Sequence, residues 1–148
     1  MKDVVTGGCH CGNLSVVFHG SKPFEELPVR ACQCSFCRKH NVRATADPQG
    51  SLEIIVEAPA KLSRYRMGLG ITDYLICADC GVYVAATMED PEKSRTLATC
   101  VVNALDIAPG CVAEPQPTVY DGETAVSRLE RRRQRWMTAV VLYSTSSE

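Results

Sequence analysis

Short apolar and β-branched runs recur along the chain, and each is closed by glycine, proline or aspartate. The runs are NLSVVFHG from Asn13, SLEIIVEAP from Ser51, KLSRYRMG from Lys61, TDYLIC from Thr72 and GVYVAAT from Gly81. Runs of this length between turn residues are typical of strands in antiparallel sheets and hairpins. The pattern therefore predicts a mainly β protein.

Two later segments have a different character. RTLATCVVNALD from Arg95 fits a strand or a helix, and its threonine and valine content favours a strand. AVSRLERRRQRWMTAVVLY from Ala125 is the best helix candidate, so the sequence predicts a helix that continues to Tyr143. Because no long linker divides the chain, we expect one domain over residues 1–148, built of antiparallel sheets with a C-terminal helix.

Charge and hydropathy exclude two kinds of partner. The formal charge of -1 gives no general basic footprint for nucleic acid, and RLERRRQRW from Arg128 is interpreted as a solvated helix surface. No apolar run approaches the length of a membrane span, and the N-terminal residues form no long apolar core. We expect a cytoplasmic protein that binds neither nucleic acid nor membrane.

Nine cysteines form the main chemical signal in the sequence. In a reducing compartment, clustered cysteines indicate metal binding or catalysis more often than disulfides. Seven of them fall into CHC at residues 9–11, CQCSFC at residues 32–37 and CADC at residues 77–80. Cys100 and Cys111 are interpreted as small hydrophobic residues.

Counting ligands predicts two zinc ions. Four thiols would close one tetrahedral, structural site, and they are Cys9, Cys11, Cys77 and Cys80. The remaining three would leave one coordination position open, as in catalytic zinc sites, and they are Cys32, Cys34 and Cys37. In CADCG, Gly81 supplies the unusual backbone conformation that a zinc knuckle needs.

Other readings of the cysteines stay open at this point. The four-cysteine set could instead form redox-active C-x-x-C motifs, although the βαβ context of such proteins is missing. The set of Cys32, Cys34 and Cys37 could form a second structural zinc site, completed by His10, His40 or Cys100. These alternatives differ in whether the second site has room for a substrate.

The order of the motifs resembles a known family. GGCHCGNLSVVF, CQCSFCRKHN, YLICADCG and VVNALD follow one another as in the glutathione-dependent formaldehyde-activating enzymes, a family that includes the centromere protein V domain. The resemblance covers roughly residues 5–107. It implies a β-tent zinc-binding fold, with one structural zinc and a second zinc on the two cysteine sets described above. It also implies a carbon–sulfur lyase activity that joins glutathione to formaldehyde as S-hydroxymethylglutathione.

These considerations give two functional hypotheses. In the first, the protein is a zinc enzyme with glutathione as co-substrate and a small aldehyde or other electrophile as its partner. Arg38 and Arg43 would then hold glutathione carboxylates through charge-assisted hydrogen bonds. Many family members have histidine at the position of Gln33, so the surroundings of the substrate differ here. In the second hypothesis, the domain is a non-catalytic, zinc-stabilised glutathione carrier or protein-binding module.

Overall fold

The computed structural model describes residues 3–144, which form eleven strands and two α-helices. The helices are α1 Ser35–His40 and α2 Ala125–Arg135. The strands are β1 Val4–Gly8, β2 Leu14–His19, β3 Val29–Cys32, β4 Ala44–Thr45, β5 Ser51–Val56, β6 Leu62–Tyr65, β7 Asp73–Cys77, β8 Tyr83–Asp90, β9 Arg95–Val101, β10 Pro115–Thr118 and β11 Met137–Tyr143. The mainly β, zinc-binding type of fold predicted from the sequence, with antiparallel sheets and a helix near the C-terminus, is confirmed.

Strand β9 is the junction of the sheet. One of its edges pairs with β8, which continues through β7 to β6. Its other edge is shared, because β11 pairs with residues 96–98 and β4 pairs with Cys100 and Val101. Beyond β11 the order is β5, β2 and β1, and beyond β4 it is β3 and β10. The strand therefore connects three groups of strands, each of which carries or borders a cysteine cluster.

The core forms where apolar side chains alternate along paired strands. In β2 every second side chain is fully buried, and β5 has the same alternation. The antiparallel register places Val16 opposite Ile54 and Phe18 opposite Leu52. Because side chains of a strand alternate between faces, these residues lie on one face and form a continuous apolar layer.

Two strand pairs are parallel, which the hairpin spacing did not predict. Strand β11 runs parallel to β5 from Thr138 opposite Ser51, and β10 runs parallel to β3 from Pro115 opposite Val29. A parallel pair needs a long connection, and both of these pairs join segments that are far apart in the chain. Local periodicity therefore contains no information about them.

The predicted helix through Tyr143 is wrong in its second half. Helix α2 begins after the N-cap Thr124, ends at Arg135, and Trp136 already has extended backbone geometry. The following residues form β11, where Met137 and Ala139 are buried and Thr138 and Val140 are exposed. This alternation has the period of a strand, and pairing with β5 and β9 stabilises it over the helix.

The interpretation of the arginine run as a solvated surface is also wrong. Arg132 is buried, and its Nη1 donates a hydrogen bond of 2.5 Å to the Thr72 hydroxyl. Arg133 donates to the carboxylate of Asp90, which is fully buried. These contacts fix α2 against the segment that leads into β7 and against β8, so its arginines serve as packing and pairing groups.

No helix within residues 3–144 has the length and apolar character needed to cross a bilayer.

Candidate metal centres

Four thiols from two distant parts of the chain meet at the first cluster. Cys9 and Cys11 follow β1, whereas Cys77 ends β7 and Cys80 lies in the turn to β8. The four sulfur atoms lie within 4.8 Å of one another, with 3.8 Å between Cys9 and Cys11 and 3.5 Å between Cys11 and Cys77. Tetrahedral zinc with Zn–S bonds of about 2.3 Å places its sulfurs about 3.8 Å apart. The spacing suits a closed four-thiolate site.

Backbone amide groups of this cluster point at its sulfur atoms. The N–H of Cys80 donates to the Cys77 sulfur over 3.5 Å, and the N–H of Leu14 donates to the Cys9 sulfur over 3.2 Å. The turn closes through Gly81, whose φ of 82° lies in the left-handed region that the sequence predicted for this glycine. Amide donors stabilise thiolate sulfur, so the loop favours the ionised ligands that a metal requires.

The second cluster is built around the short helix α1. Cys32 ends β3, Cys34 is the N-cap of α1, and Cys37 lies in its first turn. The N–H of Cys37 donates to the Cys34 sulfur over 3.4 Å, as the N–H of Cys80 does to Cys77 in the first cluster. The three sulfur atoms lie within 4.8 Å of one another. We refer to Cys32, Cys34 and Cys37 as the cysteine trio.

The cysteine trio is open on one side. Cys37 is buried, whereas Cys32 and Cys34 are only partly buried. A hydrogen bond from the Cys37 thiol lowers the pKa of Cys32 to about 6, and the same interaction raises the pKa of Cys37. Three sulfur donors with a partly exposed face suit a metal ion that keeps a fourth position free for another ligand.

Aromatic side chains hold α1 in place beside the trio. The ring of Phe36 lies 5.0 Å from that of Tyr74, 5.3 Å from that of Tyr83 and 5.5 Å from that of Tyr65, measured between centroids. Burial raises the pKa of Tyr74 and, much more, that of Tyr83, so both phenols are protonated at neutral pH. The trio is therefore bordered by a rigid wall of aromatic rings and hydroxyl groups.

Two arginines, one on β3 and one on α2, lie within electrostatic range of the trio or of each other, and the sequence analysis did not identify them as site residues. The charge of Arg131 on α2 contributes to the lowered pKa of Cys32. Arg30 is two residues before Cys32 on β3, and burial lowers its pKa. Strand alternation could have identified Arg30, because residues two apart on a strand share a face. Nothing in the local pattern indicates that α2 folds back towards the trio.

A buried hydroxyl lies on the neighbouring strand. Thr118 on β10 is opposite Cys32 in the parallel register, and its carbonyl accepts a hydrogen bond from the N–H of Gln33. The Thr118 side-chain oxygen is buried and has no hydrogen-bond partner among residues 3–144. Gln33 itself is exposed and donates from its side chain to the carbonyl of Ala31.

The other residues that the sequence analysis considered for the second site lie outside the cysteine trio. Arg38 is exposed on α1, directly after Cys37. Arg43 lines a separate cleft of about 460 Å³ together with Asn103, and none of the trio lines that cleft. His10, His40 and Cys100 belong to neither sulfur cluster in the described part of the chain.

The two remaining cysteines differ in their surroundings. Cys100 is fully buried in the core, as predicted, and burial raises its pKa to about 12. Cys111 is exposed, so it does not pack as a small hydrophobic residue as the sequence predicted. It is the last residue of a short 3₁₀ helix, Pro109–Cys111.

Both clusters suit zinc in donor type and spacing, and they lie within a mainly β fold. The class is therefore a β protein with two cysteine clusters that suit metal binding. The chain belongs to the family of glutathione-dependent formaldehyde-activating enzymes, because the sequence model of that family matches residues 4–120. This match confirms the resemblance found in the motifs.

The comparison with solved structures supports the same fold. A crystal structure of a Rhodobacter sphaeroides protein is similar, with a TM-score of 0.58 and 24% sequence identity. The similarity covers 76% of this chain and 99% of that one. The comparison with curated protein sequences found no match.

Proposed function

We propose that this protein is a zinc-dependent carbon–sulfur lyase that forms or cleaves S-hydroxymethylglutathione, or a related glutathione adduct, at the cysteine trio. The observation that carries the proposal is the contrast between the two clusters. One offers four sulfurs, enough to fill a tetrahedral shell, whereas the other offers three and leaves one position for another ligand, with Cys32 and Cys34 only partly buried. Membership of the family supports a glutathione-related role.

The reaction needs no oxidant or reductant. The glutathione sulfur forms a bond to the aldehyde carbon, the carbonyl π bond breaks, and the thiol proton ends on the new hydroxyl group. A zinc ion bound by the trio supplies an open position for a soft ligand such as a thiolate. The cysteine trio would hold this ion, and the aromatic contacts of Phe36 keep α1 in the geometry that brings the three sulfurs together.

Groups of the chain beside the trio would handle the aldehyde oxygen and the glutathione carboxylates. Tyr74 lies within electrostatic range of Cys34 and Cys37, and its protonated hydroxyl is available as a hydrogen-bond donor. We assign it to the developing alkoxide, where a positioned donor stabilises charge. Arg38 stays a candidate for the glutathione carboxylates because it is exposed beside Cys37. Arg43 is a weaker candidate because it lines a different cleft.

The test is steady-state turnover of glutathione with formaldehyde and with larger aldehydes, after subtraction of the uncatalysed rate. We expect activity in the zinc-loaded protein and its loss in Cys34→Ser. Cys111→Ser is the matched control, because Cys111 is an exposed cysteine outside both clusters, and it keeps full activity. Glutathione binding without any turnover would contradict the enzyme proposal and favour the glutathione carrier.

A further inference from the structure

We propose that Arg30 and Arg131 form a carboxylate-binding subsite beside the cysteine trio, and that this arginine subsite makes the protein select carboxylate-bearing thiols over neutral ones. The inference rests on the proposed function and specifies the substrate class of the same site. Arg131 lies on α2, beyond the residues 4–120 that the family model matches. The selectivity would therefore depend partly on a segment outside the matched residues.

The position of Arg30 follows from strand geometry. Arg30 and Cys32 are two residues apart on β3, so their side chains project from the same face of the sheet. Their Cα atoms are about 7 Å apart, the distance of two strand residues. Arg30 is partly buried and forms no ion pair within residues 3–144. A partly buried guanidinium without an anion is an available partner for a ligand carboxylate.

Arg131 is held in place by groups of the chain itself. Its Nε and Nη2 donate to the two carboxylate oxygens of Glu123 over 2.6 and 3.0 Å. Its guanidinium carbon lies 3.7 Å from the centroid of the Tyr120 ring. The Nη1 group donates to no residue in the described range 3–144, so it is available to a ligand. Because the guanidinium is already fixed, less side-chain entropy is lost when a ligand binds to it.

The local charge balance favours an anion. Glu123 is the carboxylate that pairs with both Arg128 and Arg131. Arg30 lies close enough to Arg131 and Arg135 to be repelled by them, and Arg135 forms no ion pair in the described residues. A cluster of positive charges raises the local concentration of anionic ligands. Binding of an anion then reduces the repulsion between the arginines.

Glutathione has dimensions that suit this arrangement. Its glycine carboxylate carbon lies one peptide unit and one Cα–C bond beyond the Cα of its cysteine, roughly 5 Å in an extended chain, and an arginine side chain spans the remaining distance. A sulfur at the trio would thus place a carboxylate near the side chain of Arg30, which starts about 7 Å away on the same sheet face. Arginine recognises carboxylates through two parallel hydrogen bonds, a geometry that a neutral thiol does not offer.

The experiment compares two ligands on the zinc-loaded protein by calorimetry. Glutathione has a thiol and two free carboxylates. Glutathione diethyl ester keeps the thiol, but both of its carboxylates are esterified and uncharged. We expect the wild type to bind glutathione at least about tenfold more tightly than the ester, because charge-assisted hydrogen bonds are lost in the ester. Arg30→Gln and Arg131→Gln should each weaken glutathione binding about tenfold and leave ester binding within about twofold.

Matched variants separate this effect from changes in charge or folding. Lys93→Gln removes one positive charge from the exposed turn between β8 and β9, and Lys93 forms no ion pair within residues 3–144, so its affinity for glutathione should equal that of the wild type. Arg30→Lys keeps the charge without the forked donors and should recover only part of the affinity. Melting temperature and zinc content of each variant show whether it is folded.

The possible failures are distinguishable. If Arg30→Gln and Arg131→Gln bind glutathione as tightly as the wild type, or if only Arg38→Gln weakens binding, the arginine subsite is wrong and the proposed function stands. If Arg30→Gln does not fold, Arg131→Gln and the comparison of the two ligands on the wild type still decide the question. If the wild type binds neither ligand, the proposed function is wrong and the subsite with it.

Discussion

The guanidinium of Arg132 lies over the ring of Trp136, with its central carbon 4.0 Å from the ring centroid. Both side chains are buried, and Arg132 also donates to the hydroxyl of Thr72. Burial lowers the pKa of Arg132 to about 10, so the group is still charged at neutral pH. A desolvated cation over an aromatic face is a favourable contact, and the hydrogen bond to Thr72 joins the same arginine of α2 to the segment that leads into β7.

Replacing this aromatic partner should destabilise the protein. Trp136→Ala removes a large buried ring and leaves Arg132 without its cation–π contact, so we expect a loss of about 3–5 kcal/mol in the free energy of unfolding. Urea denaturation measures the change. Val126→Ala on the same helix is the control, because Val126 is 73% exposed and its loss should cost less than about 0.5 kcal/mol. Equal effects of the two substitutions would contradict the anchoring role.

The purified protein should hold two zinc ions, one much harder to remove than the other. The four-sulfur cluster, which includes the buried Cys77, offers a full set of four ligands to one zinc ion, whereas the cysteine trio leaves one position open. Elemental analysis gives the stoichiometry, and a time course with a chelator gives the two removal rates. A content of one ion or none after expression with ample zinc would count against the assignment of two sites.

Single ligand substitutions should separate a structural from a catalytic centre. Cys77→Ser should unfold or aggregate the protein, because it removes part of a metal-binding free energy on the order of 10 kcal/mol that is coupled to folding. Cys34→Ser should give a folded but inactive protein. Thermal melts and turnover assays on both variants test this, with Cys111→Ser as the cysteine control. Equal melting temperatures for Cys77→Ser and the wild type would refute the division.

Stability should fall in acid as the Glu123 pair is lost. Hydrogen bonds from Arg131 and Arg128 lower the pKa of Glu123 from 4.5 to about 2. Because the folded-state pKa is depressed, the pair stabilises the fold fully above pH 4.5, and its contribution disappears as the pH falls towards 2. Urea denaturation across this range should show a shallower loss for Glu123→Gln than for the wild type.

A matched carboxylate defines the background of that acid titration. Glu25 is exposed and forms no ion pair within residues 3–144. Glu25→Gln should therefore follow the wild-type dependence of stability on pH. If Glu123→Gln also follows it, the Glu123 pair does not contribute to acid sensitivity.

Removing the Tyr74 hydroxyl should slow turnover without unfolding the protein. Tyr74→Phe keeps the ring contact with Phe36 and deletes the proposed hydrogen-bond donor, so we expect kcat to fall about 10²-fold. The KM for glutathione should stay within about twofold, because Tyr74 is assigned to the aldehyde oxygen. Tyr65→Phe is the control, since Tyr65 also stacks on Phe36. An unchanged kcat in Tyr74→Phe would remove this residue from the mechanism.

Much of the strand content could be predicted from the sequence because alternation is a local property. The runs from Asn13 and Ser51 became β2 and β5, and the ambiguous run from Arg95 became β9. The segment after Arg135 could not be assigned correctly, since its apolar residues continue a helical pattern. Only pairing with β5 and β9 makes it a strand. That one domain covers residues 1–148 stays a prediction.

Some residues of the candidate site could likewise be predicted from the sequence, and others could not. Both cysteine clusters could be predicted, because metal ligation imposes spacings such as those of Cys77 and Cys80 that survive in the linear sequence. Arg131 and Thr118 could not, since they reach the trio through α2 and a parallel strand pair whose partners are far apart in the chain.

The sequence by itself determined which residues are chemically able to bind zinc and which runs form strands, because ligand spacing and side-chain alternation are set by neighbouring residues. Only the tertiary structure decided what surrounds the trio: the aromatic wall of Phe36 and Tyr74, and the arginines of β3 and α2. The physical reason is that such contacts depend on long-range pairing, where burial and charge outweigh local preference. The interpretation of the arginine run as a solvated surface was wrong for this reason, because docking of α2 buries Arg132 against Trp136.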